Sequence, residues 1–310
     1  MRVLMIFLDG VGVGPADPRS NPFMHAVLPT LHWLLDAELP VLRYAPLVGE
    51  HATLVPADAT LGVSGLPQSG TGQTALLTGM NAPRRSGEHH GPYPDEPARE
   101  LLREHSLFRQ LTEAGHRVAF ANAYPDRYHE RMARGTGRAS AIARAARMAG
   151  VHLRGPDDLR GGQALSPFLT NQGWRDHLGY TDMPVISVEE AGRRLAQLAT
   201  RHDFTLFEYY HTDMAGHRGV RARILEVLEQ VDQFLRAVID NLDDETVVLV
   251  TSDHGNIEDW STTDHTLNPA FLMAIGSDGV PAWAAHRIQK ITDVAPAIVE
   301  LLEIGDLLDS

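Results

Sequence analysis

Four apolar runs in this chain are bounded by carboxylates or imidazoles, and this constrains the fold more than any other feature of the sequence. RVLMIFL runs into Asp9, FTLFEYY leads to Asp213, TVVLV leads to Asp253 and His254, and His265 stands just ahead of AFLMAIG. Short β-branched runs without polar alternation read as strands buried on both faces, as happens when helices cover both sides of a parallel sheet. Polar groups at the carboxyl ends of such strands open into the crevice where α/β proteins bind ligands. The sequence therefore predicts an α/β fold, a doubly wound and mostly parallel sheet with helices on both faces.

The segments between these runs fit that alternation. Helical spacing covers Pro29 to Ala37 and residues 106–115, 187–202, 221–242 and 291–304, with Gly115 placed as a C-cap. RVAFANAY reads as one more strand, and the stretch between Ala37 and the Gly-rich GLPQSGTGQTALLTGMNAP as a polar turn region. From Pro125 to Pro184 the sequence becomes rich in Arg, Gly and Pro, with a single helical segment in GRASAIARAARMAG and no buried-strand pattern. The expected organisation is a metal-binding catalytic core formed by residues 1–124 and 186–310, interrupted by an inserted cap at 125–185.

Composition narrows the function classes. The 310 residues are 43% hydrophobic and 22% charged, the balance of an ordinary soluble globular protein with room for a sizeable core. There is no cysteine, which excludes disulfides and thiolate metal sites, so any metal is held by carboxylate, imidazole or hydroxyl groups. A formal charge of −13 argues against nucleic acid and membrane surfaces as partners, since both are bound through basic patches. No apolar run reaches the ~20 residues of a membrane span. The N-terminal run reads as a first core strand, and the expected address is cytoplasmic.

Taken singly, each polar residue has an ordinary structural reading. Asp9-Gly10 is a common turn, Asp253-His254 suits a cap, Asp213 and His217 have the spacing of a helix surface pair, and a lone His265 is more often hydrogen-bonded than metal-bound. Co-occurrence changes the balance, because hard oxygen and imidazole donors stand at four separate strand ends while the strands themselves are apolar. In PQSGTGQTALLTG, Ser69, Thr71 and Thr74 supply hydroxyls at the start of a helix, where backbone N–H groups and the dipole favour anions. Ser69 alone is an N-cap; beside metal ions it is a nucleophile. The loop lacks the lysine of an ATP-binding P-loop. Together Asp9, Ser69, Asp213, His217, Asp253, His254 and His265 have the chemical types needed for two adjacent metal ions and a nucleophile.

The ordered set LDG, QSGTGQxxxLTG, DMAGH, SDHGN and DHTLNP resembles the alkaline phosphatase superfamily, in particular its branch of cofactor-independent phosphoglycerate mutases and phosphopentomutases. DMAGHRG is similar to the phosphoglycerate enzymes, whereas TDHT and the short step from SDHGN to it are similar to the phosphopentomutases. The resemblance implies two divalent cations, with manganese fitting the mutase branch and zinc the phosphatase and diesterase branches, and a covalent phosphoenzyme. It implies that Asp213, His217 and His265 hold one ion, that Asp9, Asp253 and His254 hold the other, and that Ser69, rather than Thr74, is the nucleophile and touches the metals. Ions about 4 Å apart would neutralise a phosphoryl group while one of them activates the serine oxygen.

A phosphoserine resolved by water makes a phosphatase; one resolved by a second hydroxyl makes a mutase, which needs an enclosing cap. Arg127, Arg131, Arg134 and Arg138 cluster in the insert and either grip a substrate phosphate or carboxylate or form a solvated face. Tyr209 and Tyr210 line the pocket or belong to the core. Where the phosphoglycerate mutases carry Asn-Ser-Glu with a later His, this chain has Gln68-Ser69-Gly70 and Gln73, and its insert is far smaller than their cap. The expected function is a metal-dependent phosphomutase or phosphatase whose partner is a small phosphorylated metabolite. The alternatives are a phosphodiesterase or sulfatase of the same superfamily and a non-catalytic metal-binding relic serving as an interaction module. Ser69 lacks the Cys/Ser-x-Pro-x-Arg context of the sulfatases, and no ligand that a relic usually loses is missing.

Overall fold

The computed structural model describes residues 1–277 and 279–308, with side chains in the last helix as far as Glu303. Its strands are β1 (Arg2–Leu8), β2 (Leu47–Val48), β3 (Ala52–Ala57), β4 (Val118–Phe120), β5 (Phe204–Tyr209), β6 (Thr246–Thr251) and β7 (Ala270–Ile275). They form one sheet in the order β2-β3-β7-β6-β1-β5-β4. The four strands β6, β1, β5 and β4 run parallel, β7 lies antiparallel between β6 and β3, and β2 is antiparallel to β3. This is the mostly parallel α/β sheet that the apolar runs predict.

Alternation along β1 feeds two cores. Val3, Met5 and Phe7 pack on one face with the helices Ser69–Thr78, Glu96–His105 and Val294–Leu308; Leu4, Ile6 and Leu8 pack on the other with Val188–Ala199 and Arg221–Ile239. Fully burying a side chain of this size contributes roughly 1.5–3 kcal/mol relative to leaving it exposed. That is why the strand is apolar throughout rather than at every second position.

The differences from the sequence reading have identifiable causes. β3 stands in the stretch that reads as a polar turn region; its ATLVPA contains a proline, which lies opposite Phe271 on one side and beyond the reach of the two-residue β2 on the other. β7 is antiparallel because a loop, not a crossover helix, joins it to β6. RVAFANAY yields only the short β4, since Asn122 leaves the ladder and its side chain bonds both backbone groups of Glu208, at 2.7 and 2.8 Å. The helix from Pro29 stops at Leu34 because Asp36 and Ala37 adopt positive φ.

Residues 125–185 carry four helices where the sequence suggested one: Asp126–Ala133, Ala141–Met148, Pro156–Arg160 and Gln172–Leu178. Apart from Ala141–Met148 they bury one or two residues each, too few to leave an apolar period. Ala141–Met148 sends Ile142, Ala143, Ala145 and Ala146 into the same core as Met5, while Leu159, Ala164, Trp174 and Met183 form a small core of their own with Ala123. Among the described residues no helix is long and apolar enough to cross a membrane.

Candidate metal centre

The seven residues converge at the carboxyl ends of β1, β5 and β6. Asp9 follows β1, Asp253 and His254 follow β6, and β5 turns through Tyr210 into the helix His211–Arg218, which carries Asp213 and His217 one turn apart. His265 arrives on the loop before β7, where Thr266 bridges to Gly255. Gly10 makes the turn after Asp9 with φ +64°, and a Cβ there would stand 2.6 Å from Asp213 Oδ1. Only glycine lets the end of β1 approach Asp213 this closely.

In the first group, His217 Nε2 lies 3.3 Å and His265 Nε2 3.6 Å from Asp213 Oδ1, and the two Nε2 atoms are 3.1 Å apart. The Nδ1 atoms of these rings lie 2.7 Å from the carbonyls of Thr263 and Pro67. A carbonyl only accepts, so each ring donates from Nδ1 and, when neutral, presents the lone pair of Nε2 to the other. Two lone pairs at that distance repel unless a cation lies between them. Donors bound at about 2.1 Å around one tetrahedral ion stand about 3.4 Å from each other, so the spacing fits a shared metal.

The second group surrounds His254 Nε2, which is 3.0 Å from Ser69 Oγ, 3.4 Å from Asp9 Oδ1 and 3.6 Å from Asp253 Oδ2. Ligand atoms of Asp9, Asp213 and His254 all lie within 4.8 Å of one another, so Asp213 stands between the two groups. Asp9 Oδ1, Asp213 Oδ1 and Asp253 Oδ2 are buried without a hydrogen-bond partner. Burial, reinforced by Asp253, Asp213 and Glu208, pushes the Asp9 carboxyl well above its usual range; burial and Asp213 push Asp253 up to about 7. Burial holds His254 and His265 below the ordinary imidazole value. Crowded orphan carboxylates beside neutral imidazoles offer acceptors and no donors, and this set fits divalent cations.

Ser69 opens the helix Ser69–Thr78, which is wedged into the site by two glycines. A Cβ at Gly70 would meet the carbonyls of Tyr93 and His90 at 2.5 and 2.6 Å, and one at Gly72 would stand 3.0 Å from Asp253 Cβ. Thr74, the competing hydroxyl, is committed within the helix and donates to the Gly70 carbonyl at 2.7 Å.

Two buried acids at the edge of the site escaped the sequence reading. Glu258 is fully buried and accepts from Gly12 N (2.9 Å), Asn256 N (2.7 Å), Asn268 Nδ2 (3.0 Å) and the Thr266 hydroxyl. It ties together the loops that carry Asp9, Asp253, His254 and His265. A Cβ at Gly12 would stand 2.5 Å from its carboxylate. Glu208 lies near the end of β5, and burial raises it to about 7 against the pull of Ser140 and Tyr124. A buried acid in a strand or loop has no periodicity to betray it; the one signal here is a charged residue inside the apolar run FTLFEYY.

Beside the centre, at the ends of β4 and β5, opens a cavity of about 500 Å³ whose lining includes Arg127, Arg131 and Arg138. Arg134 does not line it and instead pairs with Glu130 at 3.5 Å. Tyr210 lines the cavity, whereas Tyr209 is core. A larger groove of about 760 Å³ between Val188–Ala199 and Arg221–Ile239 includes none of these residues.

The sequence pattern of the Metalloenzyme superfamily matches residues 1–306. The chain belongs to that superfamily. It is 35% identical over 140 residues to the 2,3-bisphosphoglycerate-independent phosphoglycerate mutase of Chloroflexus aggregans, a match that takes in 40% of this chain and 25% of that enzyme. This superfamily member therefore spans about a quarter of the length of the curated relative it matches. Among solved structures it is similar to the PH0037 protein of Pyrococcus horikoshii (TM-score 0.59, 15% identity, 97% of this chain and 96% of that one). It is also similar to a cold-active alkaline phosphatase from Shewanella sp. (TM-score 0.53, 14% identity, 97% and 100%). At these identities the likeness is one of fold, and that fold is the alkaline phosphatase-like architecture the ordered motifs imply.

Proposed function

We propose that this Metalloenzyme superfamily member is a phosphoryl-transfer enzyme, a phosphomutase or phosphatase that acts on a small phosphorylated metabolite through a phosphoserine on Ser69. The observation that carries this reading is the position of Ser69 Oγ, 3.0 Å from His254 Nε2, at a helix start beside both donor groups. Asp213, His217 and His265 would hold one divalent ion and Asp9, Asp253 and His254 the other, with Ser69 touching them; manganese is the expected metal and zinc the alternative. Bound there, the pair supplies Lewis acidity and lowers the pKa of a coordinated hydroxyl. Ser69 Oγ gives up its proton to solvent and forms its bond to phosphorus as the ester P–O bond opposite breaks, and the departing alkoxide takes up a proton from solvent. Water then cleaves the seryl phosphate in a phosphatase, or a second substrate hydroxyl accepts the phosphoryl group in a mutase. Arg127, Arg131 and Arg138 would bind substrate anions from the cavity, and residues 125–185 would serve as the cap that limits water.

The test is turnover of a generic phosphomonoester and a phosphodiester by metal-stripped protein reloaded with manganese or zinc, with Ser69→Ala alongside. Monoester turnover that disappears in Ser69→Ala, with both ions still bound, is expected. Preference for the diester would move the protein to the diesterase alternative. Full activity in Ser69→Ala would end the phosphoserine mechanism.

A further inference from the structure

The cavity beside the metal centre is built for more than a phosphoryl group. Its walls include Tyr93, Tyr124, Tyr128, Tyr210 and Phe168. β5, whose end carries Tyr210, is the neighbour of β1 in the sheet, and β4 lies next beyond it, so at roughly 4.8 Å per strand the cavity lies within about 5–10 Å of the end of β1. Tyr93 joins the two spaces, with its carbonyl against Gly70, the neighbour of Ser69, and the Arg138 guanidinium 5.8 Å from the centre of its ring. Tyr124 and Tyr128 form a rigid stacked pair with ring centroids 4.2 Å apart, and the Tyr128 hydroxyl is buried without a partner. Among the described residues Arg127, Arg131 and Arg138 have no carboxylate within ion-pairing distance, unlike Arg134 outside the cavity.

Aromatic walls stabilise a flat ring by stacking and give little to a short acyclic chain. Guanidiniums without carboxylate partners favour an anion, and amphipathic tyrosines suit a ring that also carries hydroxyls. Resting on the phosphoryl-transfer reading above, we propose that the substrate is a phosphomonoester of a ring-bearing alcohol with a second anionic group. The ring lies against Tyr93 and the tyrosine pair, the second anion on Arg127, Arg131 and Arg138, and the reacting phosphate toward Ser69. A nucleoside and a sugar both offer this chemistry, and the probes separate them.

The experiment compares a three-carbon phosphomonoester, a nucleoside 3′,5′-bisphosphate and a hexose bisphosphate in two readouts. One is kcat/KM with metal-loaded protein; the other is equilibrium binding to metal-loaded Ser69→Ala, which needs no turnover. Since one stacked base contributes ~1–3 kcal/mol, the nucleoside bisphosphate is expected to exceed the three-carbon ester by about tenfold to a hundredfold in both, and the hexose bisphosphate to exceed it by less if its ring does not stack. A larger gain for the nucleoside assigns a planar base, and a larger gain for the hexose a sugar ring. Tyr93→Ala and Arg138→Gln, both at exposed positions, are expected to shrink that ratio, and Arg134→Ala to leave it as it is. Equal kcat/KM and equal binding across the probes would overturn the proposal while leaving phosphoryl transfer intact. Ring-selective binding without turnover of any ester would overturn the mechanism and leave the pocket assignment standing.

Discussion

The metal centre and the cavity next to it are built on opposite principles. At the centre the donors come from strand ends, Asp253, His254 and Glu258 are wholly buried, and glycines 10, 12, 70 and 72 bring backbone and side chain into contact. The cavity draws most of its walls from the loops and short helices of 125–185, and its arginines stand at exposed positions without fixed carboxylate partners. On the proposed reading, chemistry that needs atoms placed within tenths of an ångström would sit on the sheet, and selection among substrates on the segment the sheet does not dictate.

The comparison is broken most directly at Ser69. If the strand-end cluster carries the chemistry, Ser69→Ala lowers kcat by on the order of a thousandfold or more while substrate KM and metal content stay close to those of the unaltered protein. A loss of metal as large as the loss of rate would show that the serine's contact to the metals, and not its attack on phosphorus, accounts for the effect.

Glu208 lies where the two regions meet, close to Tyr124 of the cavity wall and within the field of Asp253. Its folded pKa is about 7 against an ordinary value of 4.5, so between those values the folded protein holds a proton that the unfolded chain has released. Stability from this group is present below pH 4.5 and falls as pH rises through 7, by roughly 3 kcal/mol at most from the pKa difference. Glu208→Gln removes the titration, so its stability relative to the unaltered protein is expected to rise between pH 4.5 and pH 8 in urea unfolding of metal-free protein. A difference that does not change with pH would show that the carboxyl stays ionised in the fold.

Glu258 sharpens the comparison from the rigid side. Its carboxylate accepts four hydrogen bonds from the loops bearing the ligands, and glutamine at this position would turn an N–H₂ group toward donors. Glu258→Gln is therefore expected to weaken metal binding by about tenfold to a hundredfold, as removal of an orienting partner does, measured by competition with a chelator. Unchanged affinity would mean that the loops hold their geometry without it.

How much of this was legible follows the same division. Residues such as Asp9 and Asp253 stand out because each interrupts an apolar run, and period and polarity are what a sequence displays. β3 was hidden by Pro56, and three of the helices in 125–185 by burying too few apolar residues to form a pattern. Glu258 and the aromatic walls other than Tyr210 were hidden for a different reason, because their partners come from distant segments: Gly12 is 246 residues from Glu258. Spacing reports neighbours along the chain, and these neighbours exist only in the fold.

Arg131 and Arg134 show the smallest effect and the finest discrimination. The sequence presents them as equivalent members of one cluster, yet Arg131 lines the cavity and Arg134, one helical turn on, is solvent-exposed and paired with Glu130. An exposed pair of this kind contributes ~0–1 kcal/mol, so Arg134→Ala is expected to leave stability within about 0.5 kcal/mol and KM within about twofold. If Arg131 holds a substrate anion as proposed, and holds it equally in the ground and transition states, Arg131→Ala is expected to raise KM by roughly tenfold with kcat nearly unchanged. If Arg134→Ala raised KM as much as Arg131→Ala, Arg134 would have to leave Glu130 and swing into the cavity during catalysis, and the contrast between a buried centre and an exposed cavity would become one of motion as well as composition.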